Sequence, residues 1–268
     1  MGVLKILTDE YFGDNIREED KIDISDLDVE IVSFTDMNGV KHKHGYKVKD
    51  GNPDEMVKTL KILIKRIIEK RGTECSLNDI DVSNMEQMCY ENEESEIIGV
   101  FDSSPFNGDI SGWNVSMVED MRDMFRGATS FNKPLDKWDV SNVRNMSGMF
   151  HSATSFNQPL DNWNVSSVEN MSGMFYNAKS FNQPLDKWEV SSVENMYQMF
   201  WNAKSFNQDI SGWDVSNVRN MFGMFHRAES FNQPLDKWGD KLLNVKNMNL
   251  MFDNTPLENN NKLPKWYR

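Results

Sequence analysis

The chain has 268 residues, of which 38% are hydrophobic, so it is long enough for one large domain or two smaller ones with a buried core. Its formal net charge is −13 and its calculated pI is about 4.8, which argues against sequence-independent nucleic-acid binding and against docking on an anionic membrane, because both need a basic face. We therefore expect an acidic, self-repelling surface, no nucleic-acid partner and no membrane partner.

Two further features of the sequence concern the location of the protein and the state of its cysteines. No run of about 18 apolar residues occurs that would span a membrane, and the N-terminus shows no long apolar export segment. We therefore expect a cytoplasmic protein in the producing cell, with a place in a virion as the alternative. Cys75 and Cys89 are too few for a disulfide framework, although a single bridge between them stays open.

Residues 1–74 are predicted to form a strand-rich segment followed by a capping helix. A short apolar run occupies residues 3–7, and apolar residues recur at about every second position over residues 22–31. Asn38-Gly39 then supplies a turn signal before residues 40–48, which is the pattern of a hairpin.

The clearest helix is predicted over residues 53–71. Asn52 can cap it, and Pro53 suits its first position. Asp54 and Glu55 complement the positive end of the helix dipole, and Gly72 ends the helix. Its apolar stripe consists of Met56, Val57, Leu60, Leu63, Ile64, Ile67 and Ile68, and its basic face of Lys58, Lys61, Lys65, Arg66, Lys70 and Arg71. The basic face is either a surface for an acidic partner or, the interpretation we favour, the solvated side of a cap over the open front of the repeats that follow.

Residues 75–105 are predicted to be a degenerate first repeat. Residues 81–85 resemble residues 139–143, and residues 99–101 resemble residues 148–150. Between these matches, residues 91–96 form an acidic insertion, which we interpret as a loop.

Six units with a period of 25 residues follow over residues 106–255, and the last carries two extra residues. Each begins with Phe-Asn, the phenylalanines being Phe106, Phe131, Phe156, Phe181, Phe206 and Phe231. A tryptophan follows seven positions later, at Trp113, Trp138, Trp163, Trp188, Trp213 and Trp238. Self-similarity at a fixed period of this length indicates a solenoid, with residues 256–268 as a C-terminal cap or tail.

The unit that begins at Phe131 illustrates the expected fold of each unit. Trp138 and Val140 are two apart and would share one face of a short strand, after which Ser141 would cap a short helix. The apolar face of that helix would consist of Val143, Met146, Met149, Phe150 and Ala153. The expected fold class is thus an α/β repeat, a solenoid of short strands and short helices with a small N-terminal α+β cap.

The asparagine of each Phe-Asn pair has a predicted structural role. These residues are Asn107, Asn132, Asn157, Asn182, Asn207 and Asn232. In a solenoid, a stacked, buried asparagine can hydrogen-bond the loop backbone of its own turn and of the next, which satisfies amides that loop geometry leaves unpaired. A surface turn is the alternative, but recurrence at one fixed place favours a ladder.

The motifs of common catalytic sites do not occur in the chain. There is no glycine-rich phosphate loop and no hydrolase or zinc-protease motif, so we expect no enzyme activity and no cofactor, with a hydrolase in residues 1–75 as the weakest alternative. His42 and His44 are two apart, but a metal site needs more ligands nearby, so we expect no metal.

The units differ most at two positions, where function is expected because the shared positions build the core. One position reads Arg122, Ser147, Ser172, Tyr197 and Phe222, and the other, four residues on, reads Arg126, His151, Tyr176, Trp201 and His226. Because positions four apart lie together on a helix, the aromatic side chains are predicted to form one exposed ridge flanked by two arginines, as in interaction hot spots. The predicted partner-binding residues are Tyr176, Tyr197, Trp201, Arg219, Phe222, His226 and Arg227. Rings that lie flat over the neighbouring unit and only add packing are an equal alternative.

The unit consensus, Phe-Asn-Gln-Pro-Leu-Asp-x-Trp-x-Val-Ser-x-Val-x-Asn-Met-x-x-Met-Phe, resembles the BspA-like leucine-rich repeat family over residues 76–255. The resemblance implies a leucine-rich-repeat-like solenoid. That family occurs in host-associated bacteria, protists and giant DNA viruses, and its members with a known role are mostly adhesins or interaction proteins. Its surface members carry export signals or lipid anchors, neither of which this chain shows. We therefore expect a non-enzymatic protein-interaction module with a protein partner; the alternatives are a structural component of a virion or other assembly, or a surface adhesin.

Overall fold

The N-terminal part of the fold is an antiparallel hairpin followed by one long helix. The computed structural model describes residues 22–267, so the apolar run at residues 3–7 lies outside the described residues. Strand β1 spans Val29–Thr35 and strand β2 spans Lys41–Val48, and they pair across a turn in which Gly39 has a φ of 78°. The hairpin predicted around Asn38-Gly39 is confirmed, although its first strand begins at Val29 and not at the start of the alternating pattern.

Helix α1, Pro53–Arg71, has the termini predicted for it. The Asn52 side chain accepts hydrogen bonds from the backbone N–H groups of Asp54 and Glu55 at 3.0 and 3.2 Å, and Gly72 ends the helix. The buried face of α1 consists of Met56, Val57, Leu60, Leu63, Ile64 and Ile67. Because burial of each such side chain contributes about 1.5–3 kcal/mol, packing of this face holds α1 in place.

The degenerate first repeat joins the N-terminal part to the units that follow. Strand β3, Ile80–Asp81, pairs in parallel with β2. Strands β4, Cys89–Glu91, and β5, Ile97–Gly99, pair antiparallel, so the acidic insertion forms the turn of a hairpin. Helix α1 packs on β4, and the ring of Phe101 stacks on that of Phe125 in the next unit at 5.2 Å. The apolar stripe of α1 therefore covers the front of the repeats.

Residues 75–255, the degenerate first repeat and the six units, are called the repeat stack below and are joined by backbone hydrogen bonds between equivalent positions. Single parallel bridges connect, in order, Gln87, Asp120, Asn145, Asn170, Asn195, Asn220 and Asn247. After each bridge, alternate N–H groups donate to the next unit; Met146 donates to the Asn170 carbonyl and Phe150 to the Met174 carbonyl, both at 2.9 Å. These alternating donors all point toward the C-terminal end, which leaves carbonyls open at the front of the stack and N–H groups open at its back.

Within each unit the chain follows a series of turns. Neither the strand expected at Trp138 nor the helix expected after Ser141 forms. Gly148 and Ser152 have φ values of 63° and 58°, in the left-handed region that interrupts an α-helix. Ser141 donates its N–H to Asp139 Oδ1 at 3.1 Å, in an Asx turn and not a helix cap. The alternate N–H groups that an α-helix would use internally donate to the neighbouring unit.

The shared apolar residues of the units form one core with rings stacked along its length. The rings of Trp188 and Trp213 lie parallel with centroids 6.4 Å apart. Each repeat tryptophan also donates its indole N–H to a carbonyl of the preceding unit, as Trp163 does to Leu135 at 2.9 Å. The large apolar rings are therefore buried without an unsatisfied polar atom.

The back of the repeat stack is closed by two short helices and two aromatic side chains. A 3-10 helix spans Asp236–Lys241, and helix α2 spans Pro256–Asn259. The Tyr267 ring meets Phe252 edge-on at 4.9 Å, and Trp266 is half-buried beside it. These contacts cover the last core residues of the stack.

Charged side chains satisfy open backbone groups at both ends of the repeat stack. At the front, Lys61 Nζ on α1 donates to three carbonyls of the first repeat, the closest being that of Gly99 at 2.8 Å. At the back, the N–H of Asn254 donates to Glu258 Oε2 at 2.7 Å. A cation at the carbonyl end and an anion at the N–H end match the direction of the donors.

Candidate functional site

Two columns of aromatic rings run along the outside of the repeat stack, one from each variable position. These residues, called the aromatic surface below, are His151, Tyr176, Trp201 and His226 in the first column and Tyr197 and Phe222 in the second. The rings of the first column stack in succession, with centroid separations of 4.4, 6.0 and 3.8 Å. Tyr197 stacks on Phe222 at 5.5 Å, and Phe222 also lies 6.5 Å from Trp201 across the columns.

The structure places these rings together by the repeat period and not by helical spacing. Tyr197 and Trp201 are four residues apart but belong to different columns, because the segment between them is not helical. Tyr197 is 38% exposed, whereas Tyr176, Trp201 and Phe222 are half-buried. The exposed ridge predicted from helical geometry is thus corrected to a partly buried surface, in which rings lie over those of the neighbouring unit as in the packing alternative.

The position of Trp201 depends on a glycine in the next unit. Gly223 has a φ of 58°, and a Cβ added there would lie 2.6 Å from two atoms of the Trp201 ring. The indole therefore rests on backbone that only glycine leaves accessible. At the equivalent Gly173, the nearest atom is Tyr176 Cβ at 3.9 Å, and at the equivalent Gly148 it is the carboxylate of Asp123, so the close approach of a ring at this position occurs at Gly223.

The two histidines of the aromatic surface are held in the neutral form at neutral pH. Burial lowers the pKa of His151, and the charge of Arg126 lowers it further. Burial also lowers the pKa of His226. The His151 ring lies parallel to that of Tyr176, with 1° between the planes, so the neutral imidazole acts as a flat packing group.

Both predicted flanking arginines are exposed beside the aromatic surface. Arg219 pairs with Glu194 of the preceding unit at 2.9 Å. Arg227 has a φ of 57°, donates its N–H to the Asp253 carbonyl at 2.8 Å, and makes no ion pair within residues 22–267. Its guanidinium is accordingly available to a carboxylate of a partner.

The asparagine column forms a chain of hydrogen bonds along the repeat stack. From Asn107 to Asn207, each Oδ1 accepts the backbone N–H of the next asparagine at 2.9 Å, and the column ends at Asn232. In four units a glutamine reaches back to the same oxygen, as Gln158 Nε2 does to Asn132 at 3.0 Å. These asparagines are half-buried up to Asn207 and exposed at Asn232, where the expectation was full burial. The column joins neighbouring units and has a structural role.

A groove that the sequence pattern did not reveal lies at the front of the fold. It is called the α1 groove below, has a volume of about 640 Å³, and runs between the 58–69 face of α1 and residues 100–105. Its lining is mainly apolar. The signal that would have indicated it is Ile62, an isoleucine among the lysines of the basic face, which is 43% exposed. An exposed apolar side chain among lysines is typical of a contact surface.

The described part of the chain does not gather the ligands of a metal site. Within residues 22–267 no three His, Cys, Asp or Glu side chains form a group that would hold a metal ion. His42 Nε2 lies 3.0 Å from Asp36 Oδ2 inside the hairpin, and the His44 side chain lies outside the described part. Nor has any helix in that range the length and apolar character needed to cross a membrane.

The cysteines do not form the bridge that the sequence left open. Cys75 and Cys89 are both free thiols. Burial raises the pKa of Cys89 to about 12, with a further contribution from the charge of Asp120. A thiol with so high a pKa is a poor nucleophile, so Cys89 is a packing residue.

Tandem units joined through equivalent positions define a repeat protein, and comparison with known families agrees. Residues 71–171 and residues 157–266 each match the family described as Mycoplasma protein of unknown function, DUF285. Because the two matches cover well over half of the chain, it belongs to this family. Neither a curated protein nor a solved structure matches the chain.

Proposed function

We propose that this chain is a non-enzymatic protein-interaction module, in which the repeat stack is a solenoid of the leucine-rich-repeat kind and the aromatic surface contacts a protein partner. The observation that carries the proposal is where the units differ. Their core positions are nearly constant, whereas the two variable columns place Tyr197, Trp201 and Phe222 together on the outside.

The aromatic surface has the physical properties of a binding hot spot. Tyrosine, tryptophan and arginine are the residues enriched in hot spots, and Tyr197, Trp201 and Arg227 supply all three. Stacking already restricts the rings, so ordering them on binding costs little further side-chain entropy. The 38% exposure of Tyr197 leaves area for a partner to cover.

The charge of the chain favours a protein over other macromolecules as the partner. A net charge of −13 opposes approach to nucleic-acid phosphates and to anionic lipids. Exposed arginines beside aromatic rings suit a protein surface that offers carboxylates and apolar side chains.

A photo-crosslinking amino acid at position 197 tests this proposal in native extract. Met117, which is 54% exposed outside the aromatic surface, is the matched control position. We expect crosslinking to a specific protein from position 197 and not from position 117. Crosslinking only from position 117 would overturn the choice of surface, and a crosslinked product that sediments with large particles would favour the structural-component alternative.

Substitutions then measure the contribution of the surface to affinity. Replacing Tyr197 and Arg227 together by alanine removes one exposed ring and one exposed guanidinium and leaves the half-buried rings in place. We expect affinity for the crosslinked partner to fall by about 2 kcal/mol or more, the size of a hot-spot truncation. The variant Met117→Ala should bind like the wild type. Equal affinity for all three proteins would contradict the proposal.

A further inference from the structure

The α1 groove is an elongated apolar feature that shares no residue with the aromatic surface. Along α1 it extends from Lys58 to Glu69, which at 1.5 Å per residue is about 16 Å. Its floor includes Ile64 and Val100, each only 2% exposed, and its rim includes Ile62. A volume of about 640 Å³ lies in the range of ligand-binding clefts.

The electrostatic setting of the α1 groove is opposite to that of the whole chain. Residues 58–71 contain six lysines and arginines and a single acidic residue, Glu69, so this segment is basic in a chain whose net charge is −13. Arg66 and Arg71 form ion pairs with Asp26 and Asp79, and neither arginine lines the groove. The three cations that line the groove are all lysines, namely Lys58, Lys61 and Lys65.

These three lysines differ in what they can offer to an occupant. Lys61 Nζ already donates to the carbonyls at the front of the repeat stack. Lys58 shares its charge with Glu55, at 2.7 Å on the exposed helix surface, where such a pair is weak. Lys65 is exposed and has no ion pair within residues 22–267. Two cations thus flank Ile62 at the rim, seven residues or about 10 Å apart along the helix.

We propose that the α1 groove binds an acidic amphipathic helix of a partner protein. Apolar anchors at positions i, i+4 and i+7 of such a helix span about 10 Å, which fits the length of the groove. Its carboxylates would meet Lys58 and Lys65. Because Glu69 and Asp102 line the groove as well, the part of the partner helix nearest to them would carry no acidic side chain.

Two other occupants fit the groove less well. A second copy of this chain would bring a further net charge of −13, so repulsion opposes general self-association. An acyl chain needs enclosure, whereas the groove is open along one side and would leave much of an acyl chain in water. A helix needs only one covered face, because its backbone groups are already paired.

The first test uses the full-length chain and two fluorescent peptides of about 16 residues, long enough for helix formation. Both carry leucines at heptad positions a and d; one has glutamates at the flanking positions and the other has lysines. Anisotropy titration at low salt should show binding of the glutamate peptide and at least about tenfold weaker binding of the lysine peptide. Equal binding of both peptides, or no binding of the glutamate peptide, overturns the proposal.

Variants then locate the peptide on the structure. Lys65→Glu and Ile62→Ser change exposed side chains and should each lower affinity for the glutamate peptide by about tenfold. The matched control is Lys179→Glu, an exposed lysine on the repeat stack, which should bind normally. Tyr197→Ala should also bind normally, which separates this site from the aromatic surface. Unchanged affinity in both groove variants, or equal loss in the Lys179 control, overturns the assignment.

Two further measurements address the other occupants. Sodium dodecanoate below its micelle concentration should not displace the glutamate peptide, and displacement would identify an acyl-chain site and overturn the proposal. Sedimentation should show that self-association, if any, is the same in the wild type and in Lys65→Glu. A dimer that the substitution abolishes would assign the groove to a second copy. Melting temperatures of Lys65→Glu and Ile62→Ser close to that of the wild type confirm that loss of binding is not loss of folding.

Discussion

Asn157 Oδ1 accepts the backbone N–H of Asn182, 25 residues further along the chain, at 2.9 Å. The same oxygen accepts Gln183 Nε2 at 3.1 Å, and that amide also reaches the Asn157 carbonyl at 3.1 Å. One residue thus joins two units through three hydrogen bonds, two to its side-chain oxygen and one to its carbonyl. The asparagine bond recurs at each step from Asn107 to Asn232 and the glutamine bonds in four units, which makes the return loops part of the folded structure.

Replacing Asn157 by alanine should destabilise the chain by about 1–3 kcal/mol, because the Asn182 N–H loses its acceptor in a half-buried position. The change Asn157→Asp keeps the acceptor oxygen and should cost less. Urea denaturation of both variants measures the difference. Equal loss in both would show that the amide nitrogen, and not Oδ1, matters at this position.

The stacking partners of each residue could be predicted from the sequence because they follow from its period alone. A period of 25 residues puts Asn157 beside Asn182 and Trp188 beside Trp213 whatever the local backbone does. The N-terminal hairpin and α1 could be predicted as well, since Asn38-Gly39 and Asn52 carry local turn and capping chemistry.

The backbone inside each unit could not be predicted, for a specific physical reason. The 3-4-3 spacing of apolar residues is also satisfied by turns that contain two left-handed residues. Gly148 and Gly173 hint at this conformation, but Gln198 has a φ of 53° at the same position and Asp123 one of 51°. Residues other than glycine that adopt this left-handed backbone conformation cannot be recognised from the sequence. Helical spacing consequently predicted more exposure for Tyr176, Trp201 and Phe222 than they have, and the apolar pattern did not indicate the α1 groove.

Replacing Trp163 by alanine should destabilise the chain by about 3–5 kcal/mol, the range for truncation of a buried aromatic side chain. Trp163 is only 3% exposed. Trp163→Phe is the informative comparison, since it keeps a ring and removes the indole donor to the Leu135 carbonyl, which still accepts the Trp138 N–H at 3.1 Å; the lost hydrogen bond should cost about 0.5–1.5 kcal/mol. Thermal melts check both, and a melting temperature of Trp163→Ala close to that of the wild type would argue against a stacked core.

Replacing Gly223 by alanine should displace the Trp201 ring, because the new Cβ would lie 2.6 Å from it. The left-handed backbone adds a cost of about 1–2 kcal/mol. Gly212 is the matched control: nothing lies within 4 Å of a Cβ placed there, so Gly212→Ala should be neutral in stability. Under the proposed function, Gly223→Ala should also weaken partner binding while Gly212→Ala should not. Equal stability of the two variants in urea would show that Trp201 does not rest on Gly223.

The stability of the chain should depend on pH through Asp123. Burial raises the pKa of this carboxyl from 3.8 to about 6. Between these values the folded state binds a proton that the unfolded state has lost, so this contribution is present at low pH and is lost as pH rises through about 6. His151 acts in the opposite sense, because its lowered pKa removes stability as pH falls.

Asp123→Asn isolates the carboxyl contribution, and asparagine tolerates the left-handed φ of 51° at this position. The variant should melt at a higher temperature than the wild type at neutral pH, and the gap should close at a pH of about 4, where the native carboxyl is protonated. Asp186→Asn, at an exposed position, should show no such pattern. A constant gap across this range would mean that Asp123 does not titrate there.

The direction of the repeat stack decides which backbone groups face α1. Its alternating N–H donors point toward the C-terminal end, so the first repeat presents carbonyls to α1, and Lys61 is the residue that meets them. Burial lowers the pKa of Lys61, yet its ammonium stays in contact with three carbonyl oxygens.

Replacing Lys61 by methionine keeps the length and apolar stem of the side chain and removes only these bonds. We expect a loss of about 1–3 kcal/mol, because the Val100 and Asp102 carbonyls lose this donor beside α1, whereas the Gly99 carbonyl keeps the Asp102 N–H. Lys65→Met, one turn along α1 at an exposed position, should change stability by less than about 0.5 kcal/mol. Hydrogen exchange should show that Lys61→Met loses protection first in the backbone amides of residues 99–103. A uniform loss of protection along the whole repeat stack would mean that Lys61 acts through global packing and not as the cap of the front edge.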